Sequence, residues 1–334
     1  MSITSWLAID GGQSQIRLRH SGGAQAQADG VQHRPGGNVP GMLASIRQGL
    51  ARLGSPRVQV AALGMSGLFQ EDQSLRELAR GVAAASGATR VLLVGDDVTG
   101  HAGALRGAPG VVAAIGTGTA VIGLTPGGEF NVVDGRGYLL GDEGSGFQLG
   151  RRGLRAVLEH AEGLHPPTTL TRAAIARYGP VDQIAHRIYR SKAPVAAVAA
   201  FAADVISAAD AGEPTATGLV RTSMTSLARS ITAAAAGFGT GPVPVVVVGG
   251  LMRSRQVLTP VLASALAQVL PDAHLQDPAG TALDGAAWLA GGDAGPYAPR
   301  VHAYGTTSRP TTTPPAVEPH DDLSSQPSPG GRRE

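Results

Sequence analysis

A strand, a short turn of small residues and a second strand occur twice in the chain, and this repetition constrains the fold more than any other feature. The first copy is SWLAIDGGQSQIRLRH (residues 5–20), in which an apolar run leads to Gly11-Gly12 and apolar residues then alternate with arginines. The second copy is VVAAIGTGTAVIGL (residues 111–124). Either copy alone is compatible with an ordinary β-hairpin. Two copies at the spacing of a domain indicate a duplicated α/β core with a cleft between the halves.

The rest of the hydrophobic pattern alternates between strands and helices. Apolar runs at 58–63, 91–94 and 242–250 predict strands, and residues 40–54 and 71–86 have helical periodicity. The polar, glycine-rich stretch GAQAQADGVQHRPGGNVPG after the first hairpin predicts a loop. After Gly150 the pattern becomes helical, with predicted helices at 147–162, 168–179, 181–191, 194–212 and 214–238. This order predicts mixed sheets covered by helices.

Length and composition divide the chain into three parts. A chain of 334 residues favours two domains of ordinary size. We predict one domain over 1–106 and a second over 107–296 that carries the helical insertion. From residue 297 onward the sequence is rich in Pro, Ser, Thr and charge, with little to bury, so 297–334 is predicted to be a disordered tail.

Composition also excludes several classes of protein. The chain has no cysteine, which excludes disulfides, thiolate catalysis, cysteine zinc sites and iron–sulfur clusters. The formal net charge is only +2 and no basic run occurs, so nucleic acid is not an expected partner. Neither a signal peptide nor a long uncharged apolar stretch is found, so we expect a cytoplasmic protein without a membrane span.

The two hairpin turns have the chemistry of phosphate binding without a P-loop. No Gly-x-x-x-x-Gly-Lys-Ser/Thr or Gly-x-Gly-x-x-Gly motif is present, and the only lysine, Lys192, is not in a glycine loop. Phosphate would therefore be bound by backbone amides and hydroxyls. The groups available are those of Gly12, Ser14, Gly116, Thr117, Gly118 and Thr119. Without a lysine, Mg²⁺ near Asp10 would have to balance the phosphate charge.

Polar side chains beside these turns are candidates for catalysis and for substrate binding. Asp97 follows the strand at 91–94 and is the candidate general base for transfer of a γ-phosphoryl group to an alcohol, although Asp96-Asp97 could instead cap a helix. Asp142 and Glu143 lie in a glycine-rich loop and could accept hydrogen bonds from substrate hydroxyls, or could form a solvated turn or a helix cap. Asn38 could point into a cleft or occupy a left-handed turn.

Seven short motifs in order resemble those of the N-acetylglucosamine kinase / BadF-type ATPase family, within the sugar kinase–Hsp70–actin superfamily. The resemblance extends from about Leu7 to Ala290. The motifs are Asp10-Gly11-Gly12-Gln13-Ser14, Gly36-Gly37-Asn38, Asp96-Asp97, Gly116-Thr117-Gly118-Thr119, Gly141-Asp142-Glu143-Gly144-Ser145, Gly249-Gly250 and Asp284-Gly285-Ala286. The resemblance implies two ribonuclease-H-like domains with mixed sheets flanked by helices, which close on MgATP and a sugar.

The resemblance also implies roles for residues in most of these motifs. Asp10 would serve the metal, and Asp97 would take the proton from the sugar 6-hydroxyl. The residues expected to bind ATP are Gly11, Gly12, Ser14, Gly116, Thr117, Gly118, Gly249 and Gly250. The residues expected to bind the sugar are Asn38, Ser66, Thr119, Arg136 and Asp142. The family's Gly-Trp-Gly reads Gly135-Arg136-Gly137 here, so we expect Arg136 to alter the preferred substituent on the sugar.

The leading interpretation is an ATP-dependent hexosamine kinase that forms a 6-phosphate. One alternative is an ATPase that acts through an iron–sulfur cluster, and the lack of cysteine argues against it. The repressor/glucokinase family usually carries a cysteine zinc site, which is absent here as well. A non-catalytic sugar or nucleotide sensor on the same scaffold stays open, and Asp97 favours the enzyme. The oligomeric state is open and compatible with a homodimer.

Overall fold

The computed structural model describes residues 5–12, 15–31, 38–65, 72–292 and 294–305. Residues 5–105 form Trp6–Gly11 (β1), Gln15–His20 (β2), Gln25–Asp29 (β3), Val39–Arg52 (α1), Val60–Met65 (β4), Asp72–Ser86 (α2), Arg90–Gly95 (β5) and Asp96–Leu105 (α3). The next elements are Gly110–Ile115 (β6), Thr119–Leu124 (β7), Phe130–Asp134 (β8), Gly146–Ala161 (α4), Leu170–Tyr178 (α5), Ile184–Tyr189 (α6), Pro194–Ala200 (α7), Ala202–Asp210 (α8) and Pro214–Ala234 (α9). The remaining ones are Val243–Val248 (β9), Arg255–Val269 (α10), Ala273–Gln276 (β10), Ala282–Gly291 (α11) and His302–Gly305 (β11), with 3₁₀ turns at Val181–Gln183, Gly250–Ser254 and Gly295–Arg300.

The strands form two mixed sheets that repeat one another. The first has the order β11-β5-β4-β1-β2-β3 and the second the order β10-β9-β6-β7-β8. In both, a hairpin (β1-β2 or β6-β7) is extended on one side by parallel strands and on the other by an antiparallel strand. The predicted duplication is therefore confirmed. Because β1, β4 and β5 run parallel, the chain leaves all three at the same edge of the sheet, and β6, β9 and β10 define the corresponding edge of the second.

Two helices connect the sheets and cross each other closely. α3 leads from β5 to β6, and α11 leads from the second sheet back to β11 at the edge of the first. A Cβ at Gly285 would lie 1.9 Å from the Thr99 carbonyl oxygen, and one at Gly103 would lie 1.9 Å from the Thr281 carbonyl oxygen. The two helices therefore touch backbone to backbone and run antiparallel, and only glycine fits at either position.

Each sheet has its own apolar core. Leu7, Ile9 and Leu18 pack with α1 and α2 beneath the first sheet. Beneath the second, buried residues of β6 and β9 pack with the helical insertion, which includes Phe201 of the α7–α8 junction and Leu227 of α9. The helices predicted between 147 and 238 are present, but the predicted 194–212 helix is divided into α7 and α8 at Phe201.

Two expectations from the sequence are wrong. The stretch predicted to be a loop after the first hairpin contains β3, in which Ala28 is buried while Gln25, Gln27 and Asp29 are exposed. The small side chains and glutamines conceal the alternation, which becomes a strand because β2 supplies its hydrogen-bonding partner.

The predicted start of the disordered tail, at residue 297, is also wrong, because the fold extends to residue 305. Residues Gly295–Arg300 form a 3₁₀ turn and β11 pairs antiparallel with β5. Tyr297 is fully buried, and its hydroxyl donates to Nδ1 of buried His101 (2.8 Å), whose Nε2 donates to the Gly110 carbonyl (3.1 Å). Burial lowers the pKa of His101, so its ring is neutral at pH 7, in agreement with one donating and one accepting nitrogen.

Candidate active site

The first hairpin turn follows β1 at the edge where β4 and β5 also end. A Cβ at Gly11 would lie 2.4 Å from Sδ of Met65, so a larger residue would push the β4 side chain away. The amide of Gly12 donates to the Gln15 carbonyl (3.0 Å) and closes the turn. This amide is therefore used within the protein. Ser14 lies outside the described residues, so its assignment to phosphate stays a prediction.

Asp10 is a buried carboxylate beside this turn. It lies on the same face of β1 as Ala8, which packs on α11, whereas Leu7 and Ile9 face α1 and α2. It forms an ion pair with Arg17 of β2. Burial raises the pKa of Asp10 above its ordinary value, and the Arg17 guanidinium opposes this shift without cancelling it.

Asp97 lies in the first turn of α3, directly after β5. The N-cap of α3 is Gly95, so neither Asp96 nor Asp97 caps the helix. Oδ1 of Asp97 accepts from the Val98 amide (2.9 Å), and its side chain is 22% exposed. A Cβ on Gly64 would lie 2.1 Å from Oγ1 of Thr99, so α3 sits directly over β4, the strand next to Asp10. Asp10 and the first turn of α3 are therefore close neighbours.

Arg300 contacts Asp97, and the sequence analysis did not identify it. Its Nη2 lies 3.6 Å from Oδ2 of Asp97, and its guanidinium lies 5.5 Å from the ring centroid of Phe130 at the start of β8. Arg300 belongs to the segment predicted to be disordered, and no local pattern links it to a residue so far away in the chain. The C-terminal 3₁₀ turn thus contributes a cation to the candidate catalytic carboxylate.

The second hairpin turn is held by the start of α4. The carbonyls of Gly116 and Thr117 accept from the amides of Gly146 (2.7 Å) and Phe147 (3.0 Å). The Gly116 amide closes the turn on the Gly118 carbonyl (2.9 Å). The amides of Thr117 and Gly118 donate to no described residue. With its carbonyls bound to α4, the turn has amides free for an anion.

The side chain of Asp142 contacts this second turn. Its Oδ1 accepts from the Thr119 amide (3.2 Å), and a Cβ on Gly118 would lie 2.7 Å from Oδ2. Burial raises the pKa of Asp142; the hydrogen bond from Thr119 opposes the shift and the nearby charge of Asp134 adds to it. Oγ1 of Thr119 is buried without a hydrogen-bond partner among the described residues. A buried hydroxyl without a partner is costly unless a ligand supplies one.

The loop that carries Asp142 is closed by Asp134, a second residue that the sequence analysis missed. Oδ1 of Asp134 accepts from the Asp142 amide (2.5 Å) and Oδ2 accepts from the Glu143 amide (2.8 Å). Asp134 and Asp142 both have left-handed backbones (φ 66° and 61°), which aspartate tolerates better than most residues. Arg136 lies exposed between them and makes no ion pair with a described residue. The only sequence signal was the glycine next to Asp134.

Gly249-Gly250 lies against the second turn, as its assignment to the same nucleotide requires. Gly249 has φ 108°, and a Cβ on it would lie 2.2 Å from the Ile115 carbonyl oxygen. A Cβ on Gly116 would lie 4.0 Å from the Gly250 amide nitrogen. The two predicted ATP-binding turns are therefore adjacent at the edge of the second sheet.

A cavity of about 480 Å³ opens beside Gly249 at the ends of β9 and β10. Its lining is mostly apolar and includes Met252 and Leu275, while an ion pair between Arg255 and Asp277 (2.8 Å) stands at its rim. This volume is within the roughly 300–1,000 Å³ typical of small-molecule sites.

Asn38 has a structural role that the sequence analysis did not assign to it. It is the N-cap of α1, and its Oδ1 accepts from the Gly41 amide (3.1 Å). Its φ is −141°, so the left-handed turn considered for it is wrong. Its Nδ2 has no described partner and remains available as a donor. Gly36, Gly37 and Ser66 lie outside the described residues.

The described residues contain neither a cluster of metal ligands nor a single helix that could cross a membrane. Among the residues that the structure describes, no group of three or more His, Asp or Glu side chains could hold a metal ion. In the same part of the chain, no single helix has the length and apolar character to cross a bilayer. The segments 194–210 and 214–234 reach that length and apolar character only when they are taken together, and they are bent by 116° relative to each other.

Two repeated mixed sheets, flanked by helices and joined by two crossing helices, define the two-domain fold of the sugar kinases and actin-like ATPases. Residues 37–290 match the sequence profile of the BadF/BadG/BcrA/BcrD ATPase family, and the chain belongs to this family. The resemblance inferred from the motifs is thereby confirmed. No match was found among curated proteins.

Solved structures give the same fold. A protein from Chromobacterium violaceum, provisionally assigned as an N-acetylglucosamine kinase, is 28% identical over 87% of this chain and 100% of its own, with a TM-score of 0.69. A second protein with that provisional assignment, from Porphyromonas gingivalis, is 19% identical over 84% of this chain and 97% of its own (TM-score 0.67). A ROK family glucokinase from Streptomyces griseus, in complex with glucose and AMPPNP, is 17% identical over 86% and 99% of the two chains (TM-score 0.54).

Proposed function

We propose that this protein is an ATP-dependent sugar kinase that transfers the γ-phosphoryl group of MgATP to the 6-hydroxyl of an amino sugar such as N-acetylglucosamine or glucosamine. The observation that carries the proposal is the position of Asp97. Its carboxylate stands at the end of a parallel strand, on the helix that joins two sheets with matching glycine turns. We place this activity in the cytoplasm as part of the same proposal.

The phosphates would be bound by the two turns. The amides of Thr117 and Gly118 and the hydroxyl of Thr119, which have no hydrogen-bond partner among the described residues, fit an anion of this kind. Gly11 and Ser14 would supply the opposite side of the phosphate site, whereas the Gly12 amide, also expected to bind phosphate, is used to close the first turn. The nucleoside would lie against Gly249-Gly250, where the apolar cavity could receive the base.

Asp10 is suited to hold magnesium together with the phosphate oxygens. Mg²⁺ commonly takes one or two carboxylates, substrate phosphates and several waters, so a cluster of three carboxylates is not required. A buried carboxyl whose pKa is raised by desolvation gains from a nearby cation. When bound, the metal supplies charge neutralisation at the phosphates.

In the transfer step, the Asp97 carboxylate accepts the proton of the sugar 6-hydroxyl. The hydroxyl oxygen forms the new bond to the γ-phosphorus, and the bond from that phosphorus to the oxygen bridging the β- and γ-phosphates breaks. ADP leaves with the electron pair of that bond. The Val98 amide and Arg300 both contact the Asp97 carboxylate, so they orient its oxygens for this role.

The sugar would be bound by Asn38, Ser66, Thr119, Arg136 and Asp142. Nδ2 of Asn38 has no hydrogen-bond partner in the described part of the chain, and Asp142 retains oxygen lone pairs besides those used for the second turn. Closure of the two domains over the sugar would keep water from the γ-phosphate.

A panel of sugars tests the function directly. ADP release is measured with glucosamine, N-acetylglucosamine, glucose and N-acetylmuramic acid, and the product is identified by ³¹P NMR. We expect turnover with at least one amino sugar and a 6-phosphate product. ATP binding without turnover on any sugar would favour the sensor, and sugar-independent ATP hydrolysis would favour an ATPase on the same fold.

Arg136 is expected to set the preference among these sugars. Its guanidinium is exposed in the loop between Asp134 and Asp142 and makes no ion pair with a described residue, so a carboxylate on the substrate could meet it. Arg136→Trp should therefore change the ratio of kcat/KM for N-acetylmuramic acid to that for N-acetylglucosamine by about tenfold, in favour of the neutral sugar. Arg151→Trp, at an exposed arginine of α4, is the control. An unchanged ratio in the Arg136 variant contradicts the role.

Asp10 is expected to lower the stability of the ligand-free fold at neutral pH. Burial raises the pKa of Asp10 in the folded protein above its value in the unfolded chain, so protonation of Asp10 stabilises the folded state. This stabilisation is complete at pH values below the unfolded pKa and is lost as the pH rises through the folded pKa. Asp10→Asn should therefore increase the free energy of unfolding at pH 7.5 while abolishing phosphoryl transfer. Urea denaturation at pH 4.5 and 7.5 measures both the gain and its pH dependence. A variant less stable than wild type at pH 7.5 would refute this expectation.

A further inference from the structure

Both tryptophans of the chain line one cavity at the crossing of α3 and α11. This hinge cavity has a volume of about 470 Å³, and Trp6 and Trp288 lie in its lining. The other lining residues are Arg19, Ala102, Gly103, Arg106, Ala279, Asp284 and Ala287. These residues come from β1, β2, α3 and its C-cap Arg106, α11 and the segment before α11, so both connecting helices and the first sheet contribute. None of them belongs to the candidate active site.

The charge in the hinge cavity is positive. Two arginines and one aspartate line it, which gives a net charge of +1. The aspartate is already satisfied: the carboxylate of Asp284 accepts from Nη1 of Arg19 (2.7 Å) and from the amide (2.6 Å) and hydroxyl (2.7 Å) of Thr281. Asp284 therefore attracts no further cation, and the unfilled hydrogen-bonding capacity in the cavity belongs to the arginines.

Arg19 has a donor that nothing in the described structure uses. Its Nη1 is paired with Asp284 and its Nη2 donates to the Leu283 carbonyl (3.4 Å), but Nε is buried without a hydrogen-bond partner among the described residues. Its guanidinium lies 6.0 Å from the ring centroid of Trp6. Arg106 is exposed and makes one long contact, from Nη2 to the Ala279 carbonyl (3.4 Å). Because Nε of Arg19 is buried, the donors that a ligand in the cavity can reach are those of Arg106.

We propose that the hinge cavity binds a planar aromatic anion. The indoles of Trp6 and Trp288 offer apolar surface for a flat aromatic body, the exposed guanidinium of Arg106 supplies donors for an anionic group, and the Arg19 guanidinium adds positive charge. The volume is that of ordinary small-molecule sites. Since the lining includes both helices that connect the sheets, an occupant would favour one angle between the domains over others. The proposal does not depend on the proposed kinase activity.

Two probes that differ only in charge test this site on the full chain. 1-Anilinonaphthalene-8-sulfonate is an aromatic anion built on a planar naphthalene ring, and N-phenyl-1-naphthylamine has the same aromatic body without the sulfonate. Binding is measured by calorimetry and by quenching of tryptophan emission, which arises only from this cavity. We expect one sulfonate probe per chain and about tenfold weaker binding of the uncharged probe. Equal binding of the two probes would overturn the proposal, since it would show an apolar surface without anion recognition.

One variant assigns the binding to this cavity. Arg106→Asn removes a guanidinium at a residue with φ 52°, a left-handed backbone that asparagine tolerates. It should weaken binding of the sulfonate probe about tenfold. Arg221→Gln, at an exposed position of α9, is the control and should leave binding unchanged. If both variants bind as the wild type does, the anion is not held by the hinge cavity and the proposal fails.

Discussion

Asp97→Asn is expected to lower kcat for sugar phosphorylation by about 10³-fold, the middle of the range for loss of a general base. The amide keeps the shape of the side chain and can still accept from the Val98 amide, so the first turn of α3 should be retained. The ion pair with Arg300 is partly exposed and long (3.6 Å), so its loss should cost little stability. The measurement is ADP release at saturating MgATP and sugar.

Asp96→Asn is the matched control for this change. Asp96 stands in the same helical turn, so both variants remove one negative charge from the N-terminus of α3 and change the interaction with the helix dipole alike. Asp96→Asn should keep kcat within a few-fold of wild type, and ATP affinity should be similar in both variants. Full phosphorylation activity in Asp97→Asn would refute the role of Asp97 as base.

Gly285→Ala is expected to destabilise the protein by about 3 kcal/mol, because the added methyl group would clash with backbone atoms of α3. A Cβ there would lie 1.9 Å from the Thr99 carbonyl oxygen and 2.6 Å from the Gly103 amide nitrogen, and both are backbone atoms of α3. A side chain could rotate away, but relief here requires the two connecting helices to separate. Urea unfolding of the ligand-free protein at pH 7 measures the loss.

Gly100→Ala provides the comparison within the same helix pair. Gly100 lies in α3, one residue from Thr99, but a Cβ on it would meet nothing within 4 Å. Alanine is the better helix former, so this variant should be stabilised by about 0.5–1 kcal/mol. If Gly285→Ala is as stable as Gly100→Ala, then the close crossing of α3 and α11 does not contribute to the fold as described.

Local patterns along the chain predicted a large part of the architecture. The repeated hairpins, the strands that follow them and the helices of the insertion are each encoded by a periodicity that spans fewer than about twenty residues. The small-residue turns and the carboxylate at the end of β5 were visible for the same reason. Weakly amphipathic strands were not: β3 and β11 have few large apolar residues, and they form because a neighbouring strand provides hydrogen bonds.

The candidate site likewise contains residues that local sequence patterns indicated and residues that they did not. The sequence indicated Asp10, Asp97 and Asp142, because each stands at a strand end or in a glycine loop. The cation beside Asp97 was missed, since Arg300 reaches it through the C-terminal turn. Asn38 was expected to be a ligand and was found to cap α1 with one of its two polar atoms.

The sequence by itself determined that this protein is built from two related halves with glycine turns and a carboxylate at the end of a strand. Only the tertiary structure decided that α3 and α11 touch at Gly103 and Gly285, and that Trp6, Trp288 and two arginines surround one cavity. The physical reason is distance along the chain. Arg19 and Asp284, for example, are 265 residues apart and pair only because α11 returns to the first sheet. Periodicity reports which face of an element is apolar, whereas packing decides which element covers that face.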